Sequence, residues 1–360
     1  MRENQLEEYL SKGVERIVQG ILRASADNPK ESLFLARYAS LGREAGRRRA
    51  KLEAAGEHIP PFLIASITDS CNLHCKGCYA RANVSCMDRG EELQMSAARW
   101  GEVFCQAEEA GVAFILLAGG EPLLRRDVLE QAGRHRRILF PVFTNGTMLD
   151  EAYLKLFGKN RNLIPVLSIE GEERLTDERR GSGVYASLQK AMGRMKESGI
   201  LFGASVTVTR ENMQEVLSEE FTAHLARQGC KAVIYVEYVP AEKETEHLAP
   251  GDAERAYMEQ RLKMLREAQK ELLFVSFPGD EKSSGGCLAA GRGFFHINAK
   301  GGAEPCPFSP FSDTSLLHTS LREALKSPFF IRLRAEGLLT KEHTGGCVLF
   351  EQEQSVKGCL

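Results

Sequence analysis

A chain of 360 residues with 43% apolar and 27% charged side chains can build a core domain with extensions, and its composition is that of a soluble protein. A formal net charge of −2 supplies no global field for nucleic acid or an acidic membrane. No stretch approaches the roughly 18 unbroken apolar residues of a membrane span, and Met1-Arg2-Glu3-Asn4-Gln5 runs into mixed charge instead of an apolar signal segment, so a cytoplasmic chain with no membrane and no nucleic-acid partner is expected.

Residues 1–58 read as helical, with Leu6, Tyr9, Leu10, Val14, Ile17, Ile21 and Leu22 at helical spacing. A break at Asp27-Asn28-Pro29 precedes a second helix through Leu33, Leu35 and Tyr38. The run Arg43, Arg47, Arg48, Arg49 and Lys51 reads as a solvated helix face, with attraction of an acidic partner as the other reading. Pro60-Pro61 closes the helical region, and an alternation begins. Strands are expected at Phe62–Thr68, Ala113–Ala118, Ile138–Phe143, Ile164–Ile169, Leu201–Val208 and Ala232–Val239, with helices over 96–110, 126–136, 151–158, 184–198 and 213–228. Such alternation implies right-handed βαβ crossovers and a parallel sheet. Six strands do not complete an eight-stranded barrel. The expected fold class is therefore α/β, a partial (β/α)6 TIM-like barrel with its chemistry on loops after the C-terminal strand ends. Beyond Pro240 come a polar helix over 252–270, a strand Leu272–Phe277 and a glycine- and cysteine-rich tail of little periodicity. The expected divisions are a helical segment 1–58, the barrel 59–245, and a linker helix with a C-terminal extension 246–360.

Ten cysteines in a reducing compartment argue for metal and against a disulfide framework. Three of them form Cys71-x3-Cys75-x2-Cys78, followed at once by Tyr79, on the loop after the first strand. Thiolates are soft ligands suited to iron–sulfur or zinc chemistry, but three are one short of a closed four-ligand site. Either a distant residue completes the set or one metal position stays open. A zinc knuckle, or buried cysteines that happen to be close, is the plain alternative. After the second strand, Ala118-Gly119-Gly120-Glu121-Pro122 sets two glycines, which allow close backbone approach, beside a carboxylate that can accept from an ammonium. Alone this is a βα turn. One βα unit after the cysteine loop, it completes a pattern that resembles the radical S-adenosylmethionine (radical SAM) superfamily. The resemblance implies a [4Fe–4S] cluster on Cys71, Cys75 and Cys78 with an open iron, which SAM chelates through its amino and carboxylate groups. It also implies that Gly119, Gly120 and Glu121 bind the SAM amino group.

Later strand ends extend the resemblance. Thr144-Asn145-Gly146 follows the third strand. Ser168-Ile169-Glu170-Gly171 follows the fourth and resembles the Ser-(Ile/Leu)-Asp-Gly of SAM-dependent maturases, with Glu170 where Asp is usual. In Asp177-Glu178-Arg179-Arg180-Gly181, Arg180 is the expected partner of the SAM carboxylate and Arg179 the alternative, a solvated loop charge being the plain reading of both. Ser205 or Thr207 is expected at the ribose, and Val239 at the adenine through its backbone. Tyr79, Thr144, Asn145 and Ser168 complete the implied SAM pocket. Glu237 and Tyr238 are expected to point opposite ways, one of them into the barrel toward the substrate.

In the tail, Cys287-x13-Gly301-x4-Cys306 resembles the opening of the SPASM/Twitch extension of radical SAM maturases. The full SPASM run C-x2-C-x5-C-x3-C is absent, and only Cys347 and Cys359 follow, enough for one cluster. The resemblance implies an auxiliary [4Fe–4S] cluster on Cys287, Cys306 and Cys347, with Cys359 as an optional fourth ligand and a zinc site as the rival. Cys86, Cys105 and Cys230 read as core or incidental thiols. The implied activity is that of a radical SAM oxidoreductase. A reductant such as flavodoxin or ferredoxin drives cleavage of SAM, and a 5′-deoxyadenosyl radical takes a hydrogen atom from a substrate, in the first place a peptide or protein side chain. A small molecule or cofactor precursor is the alternative substrate, because residues 1–58 lack the strand-rich pattern of a leader-peptide-recognition domain. A non-catalytic metal-binding protein is the third reading.

Overall fold

The computed structural model describes residues 3–25, 29–88, 93–278, 285–340 and 347–360. Two long helices, α1 (Glu3–Ala24) and α2 (Pro29–Ala54), pack on each other at the start of the chain. The break expected at Asp27-Asn28 lies outside the described residues. Then follow β1 (Phe62–Ser66), α3 (Tyr79–Ala82), α4 (Ala97–Ala110), β2 (Phe114–Ala118), α5 (Arg126–Ala132), β3 (Phe140–Thr144), α6 (Glu151–Lys159) and β4 (Leu163–Ser168). The alternation continues through α7 (Glu173–Arg180), α8 (Val184–Glu197), β5 (Gly203–Val208), α9 (Met213–Val216), α10 (Glu219–Arg227), β6 (Ala232–Glu237), α11 (Asp252–Ala268) and β7 (Leu273–Phe277). The tail adds β8 (His296–Ile297), β9 (Ala303–Glu304) and the short helices α12 (Leu321–Ala324), α13 (Pro328–Ala335), α14 (Val348–Glu351) and α15 (Glu353–Gly358).

Local chemistry sets these boundaries. Ser96, Asp150 and Ser218 each accept a hydrogen bond from the first turn of the helix they precede. The Ser218 cap starts a new helix, so the single helix expected over 213–228 is two, α9 and α10. Arg179 and Arg180, whose plain reading is a solvated loop charge, form the last turn of the helix α7.

Among the described residues the sheet has nine strands in the order β7-β6-β5-β4-β3-β2-β1-β8-β9. Strands β1 to β7 are parallel to their neighbours in sequence order, as a chain of βαβ units requires. The six expected barrel strands are present, and the seventh, after the polar helix, joins them. The tail is more regular than its composition suggests. It lays β8 parallel on the free edge of β1, and β9 returns antiparallel on β8.

The two faces of the sheet differ. Leu63, Ala65, Ile115, Leu117 and Val142 point outward and are fully buried against the helices, together with Trp100 and Phe104 of α4. The alternate residues Phe62, Ile64, Phe114, Leu116 and Phe143 point inward and are only half-buried. A closed eight-stranded barrel fills its interior with such side chains. Here the interior is an apolar chamber of about 960 Å³. Tyr9, Gly13, Ile17 and Ile21 of α1 line the chamber at the end where the strands begin. Gly20 brings α1 close to β7, where a Cβ would stand 2.7 Å from Leu273 Cδ1.

The basic run on α2 is only partly a solvated face. Arg49 is 2% exposed and donates to Gly111 O (2.6 Å) and Ser11 Oγ (2.7 Å). Tyr38 of the same helix donates to Ala113 O. Helix α2 crosses the α4–β2 turn, so one guanidinium of the run is needed to satisfy that turn. Replacing Arg49 by Met removes two buried hydrogen bonds and should cost about 2–3 kcal/mol of stability. Urea denaturation of the holoprotein checks this; an unchanged midpoint would return Arg49 to the solvated face.

Candidate active site

The cysteine loop is clamped at both ends and from three sides. Cys71 N donates to Met87 O (3.0 Å) and Met87 N to Asp69 O (2.7 Å), so the loop closes on itself. Arg81 donates to Leu73 O (2.8 Å) from inside the loop and pairs with Asp88 (2.9 Å). Asn145, after β3, donates to Asn72 Oδ1 (2.9 Å). The end of α7 meets Lys76 twice, Lys76 N to Arg179 O (2.8 Å) and Arg179 Nε to Lys76 O (3.2 Å). Gly77, at φ +65°, lies under the Tyr238 ring, where a Cβ would stand 2.3 Å from Oη. The glycines after β2 serve the same loop. A Cβ on Gly119 would stand 2.3 Å from Thr68 O, and one on Gly120 1.9 Å from Ser70 O. Their bareness lets the first strand's loop lie against the second's.

Cys71, Cys75 and Cys78 line the mouth of the chamber together with Tyr79, Glu121, Arg179 and Arg180. Cys86, a core thiol in the sequence reading, stands beside Cys71. Its hydrogen bond, helped by Arg81 and Arg180, holds the Cys71 thiol below its ordinary pKa. Burial pushes Cys75 the other way.

Glu121 is 1% exposed and accepts from Thr144 Oγ1 (2.7 Å), Asn145 N (2.8 Å) and Leu123 N (3.0 Å). Thr144 and Asn145 are thus committed to Glu121 and to the loop. A carboxylate has about four acceptor positions, so one remains beyond these three bonds. Glu170, also 1% exposed, accepts from Arg180 Nε (2.9 Å), pairs with Arg179 (2.7 Å) and accepts from Thr207 N (3.2 Å). One carboxylate against two guanidiniums leaves excess positive charge beside the cysteines. Ser168, Ser205, Thr207 and Val239 all line the same space. Glu237 and Tyr238 both border it, and their side chains engage different elements, as the expected alternation requires. The Glu237 carboxylate is engaged by Arg255 (2.7 Å), while Tyr238 packs under Arg179 (5.8 Å from its ring centroid).

The tail brings a second thiol group near the first. Cys306 lies against Cys347, its S–H donating, which raises Cys306 and lowers Cys347, and Cys287 is close enough to raise Cys306 further. Gly301, at φ +88°, makes the turn between β8 and β9, as the cysteine spacing suggests. Cys359 is tied down, because Arg332 donates to its carbonyl (2.6 Å), but its thiol meets Glu336 (3.3 Å) instead of another cysteine. Gly345-Gly346, beside Cys347, lie outside the described residues. Tyr79, next to Cys78, packs at a tilt on Phe308, two residues past Cys306, with centroids 4.8 Å apart. A buried chain also crosses from barrel to tail, Ser66 Oγ to His296 Nε2 (2.7 Å) and His296 Nδ1 to Glu304 (2.6 Å). No local motif marks these three residues, and only the β1–β8 pairing brings them together.

The donor set fits a cluster better than a lone ion. A cubane takes each thiolate on a separate iron, which suits three cysteines spread along one loop. The remaining acceptor position of Glu121 and the excess charge of Arg179 and Arg180 fit a ligand carrying an ammonium and a carboxylate. Thiolates beside such a pocket, at the strand ends of an open parallel barrel, define a class that joins an iron–sulfur cluster to a charged small ligand.

Comparison with known proteins narrows that class. The radical SAM superfamily is matched by residues 65–219 of this chain. An AdoMet-dependent heme synthase of Methanosarcina barkeri is 28% identical over 330 residues, 83% of this chain and 91% of that one. A PqqA peptide cyclase of Granulibacter bethesdensis is 28% identical over 162 residues, 44% of this chain and 42% of that one. The structure of Streptococcus suis SuiB bound to precursor peptide SuiA superposes with a TM-score of 0.66 at 19% identity, covering 91% of this chain and 79% of that one. In the described residues no helix is long and apolar enough to cross a membrane.

Burial pushes the Glu121 carboxyl up to about 7, against the opposing bonds from Asn145, Thr144 and Leu123. Only the ionised form attracts an ammonium, so SAM affinity should rise from about pH 6 to about pH 8. The stability sign is the reverse. Between the ordinary carboxyl value and about 7 the folded chain holds a proton that the unfolded chain has lost, so this group's contribution falls as pH rises through that window. Glu121→Gln should lower SAM affinity about tenfold, flatten its pH dependence and leave iron content unchanged. Calorimetric titration at two pH values decides; unchanged affinity would reduce Gly119-Gly120-Glu121 to a turn.

Proposed function

We propose that this chain is a radical SAM oxidoreductase that takes a hydrogen atom from a compact organic substrate held in the barrel. The observation that carries the reading is the continuous lining from Cys71, Cys75, Cys78 and Glu121 into the apolar chamber. When bound, the cluster and SAM supply the electron transfer and the 5′-deoxyadenosyl radical, with flavodoxin or ferredoxin as the external reductant. The rest falls to the chain. Cys71, Cys75 and Cys78 hold the cluster. Glu121 takes the SAM ammonium, and Arg180, braced by Glu170, faces its carboxylate, with Arg179 clamping the loop. Ser168, Ser205 and Thr207 face the ribose, and the Val239 backbone the adenine. The apolar walls exclude water and competing hydrogen donors. Cys287, Cys306 and Cys347 hold an auxiliary cluster, and Leu288 and Phe308 beside them line the chamber, so an electron leaving the substrate has an acceptor nearby. Cys359 stays with Glu336, outside the ligand set.

The apolar chamber and the near-full-length relatives named heme synthase support a compact substrate. A peptide is the second reading, supported by the likeness to peptide-bound SuiB and to PqqA peptide cyclases. Anaerobically reconstituted protein should carry about eight irons and form 5′-deoxyadenosine from SAM under dithionite. Replacing Cys71, Cys75 and Cys78 together by Ala should remove about half the iron and all cleavage; cleavage that survives would sink the assignment. The Cys287→Ala/Cys306→Ala variant should keep cleavage and lose the other half of the iron. One zinc and no iron in the tail of the triple variant would refute an electron-accepting cluster there.

A further inference from the structure

The chamber has two chemically different ends. Where the strands finish stand the cysteine loop, Glu121 and Glu237. Where they begin, the lining turns cationic, with Arg16 and Arg23 of α1, Lys231 before β6, and Arg266 and Lys270 at the end of α11. Among the described residues no carboxylate lines that end, since Glu121 and Glu237 belong to the other. Arg266 donates to Phe274 O (3.1 Å) and Lys270 to Arg266 O (2.7 Å), bonds to carbonyls that orient these cations at the rim. Between the ends the walls are apolar, among them Ile64, Leu116, Phe143, Ile234 and Val236. β6 runs from Ala232 to Glu237, so the ends lie about 17 Å apart at roughly 3.3 Å per residue.

Water gains little from such walls, and a small polar anion would satisfy only the rim. A neutral apolar molecule would satisfy only the walls. We propose that the substrate is an amphipathic anion, its apolar body in the barrel and its carboxylate at the rim formed by Arg16, Arg23 and Lys270. The proposal rests on the chamber's being the substrate site. The cationic rim then acts as a ruler. Anchoring one end of the molecule fixes its depth, and so selects which carbon lies beside the SAM pocket.

A matched pair of probes tests this on the reconstituted protein, 1-pyrenebutyric acid and 1-pyrenebutanol, which share an apolar body and differ in the carboxylate. Fluorescence titration should show the acid binding at least about tenfold tighter than the alcohol. In the triple variant Arg16→Gln/Arg23→Gln/Lys270→Gln, at exposed positions, the acid should lose that advantage while the alcohol binds as before. Equal affinity for the two probes, or a variant that still prefers the acid, overturns the proposal. Displacement of the acid by coproporphyrin III points to a tetrapyrrole body and displacement by palmitate to an acyl chain, and either supports it; displacement by neither overturns it. Formation of 5′-deoxyadenosine is read separately. Its absence from the unaltered protein would defeat the radical SAM reading and leave the binding result standing, and its persistence in the variant shows that the SAM end is intact.

Discussion

The contact on which the site depends is the approach of the Thr68–Cys71 backbone to Gly119 and Gly120. No side chain fits between them, since a Cβ at Gly120 would stand 1.9 Å from Ser70 O. That approach sets the cysteine loop over the end of β2, within reach of Asn145 after β3 and of Arg179 at the end of α7. The same glycines lead directly into Glu121, whose carboxylate ties the ends of β2 and β3 together. A loop carrying three thiols would wander if its neighbours did not hold it. Here each neighbouring strand end holds it, so the thiols, the carboxylate and the guanidiniums keep one geometry.

A second constraint is the inversion of the core. The hydrophobic core lies between the sheet and the outer helices, where Leu63, Ile115, Leu117, Trp100 and Phe104 are fully buried. The inward residues are equally apolar and remain half-buried because the strands do not close into a barrel small enough to fill. Helix α1 covers the chamber where the strands begin, and the tail borders it where they end. Stability is thus drawn from one face of the sheet and binding capacity from the other.

The tail is part of the same sheet. By pairing with β1 the short β8 fixes where Cys287 and Cys306 stand relative to the cysteine loop. Two contacts bridge the thiol groups, the Tyr79–Phe308 ring pair and the buried Ser66–His296–Glu304 chain. A buried histidine satisfied on both nitrogens resists movement, because breaking either bond leaves a polar group without water. The two cysteine groups therefore share one rigid frame.

The sequence alone determined the parallel alternation of strands and helices, since hydrophobic periodicity and proline breaks are local signals. It also determined the first thiol loop and the Gly-Gly-Glu turn, whose residues are adjacent in the chain. What it left open were relations between distant segments. Arg49 looked like one charge on a solvated face, and only the crossing of α2 over the α4–β2 turn buries it. Cys86 looked incidental, and only the closure of the loop sets it beside Cys71. Cys359 was a possible ligand by count, and the fold gives its thiol to Glu336. The hollow interior, the cationic rim and the Ser66–His296–Glu304 chain have no signature at all along the chain. They arise because strands far apart in sequence converge, and convergence is a property of tertiary packing that no local pattern encodes.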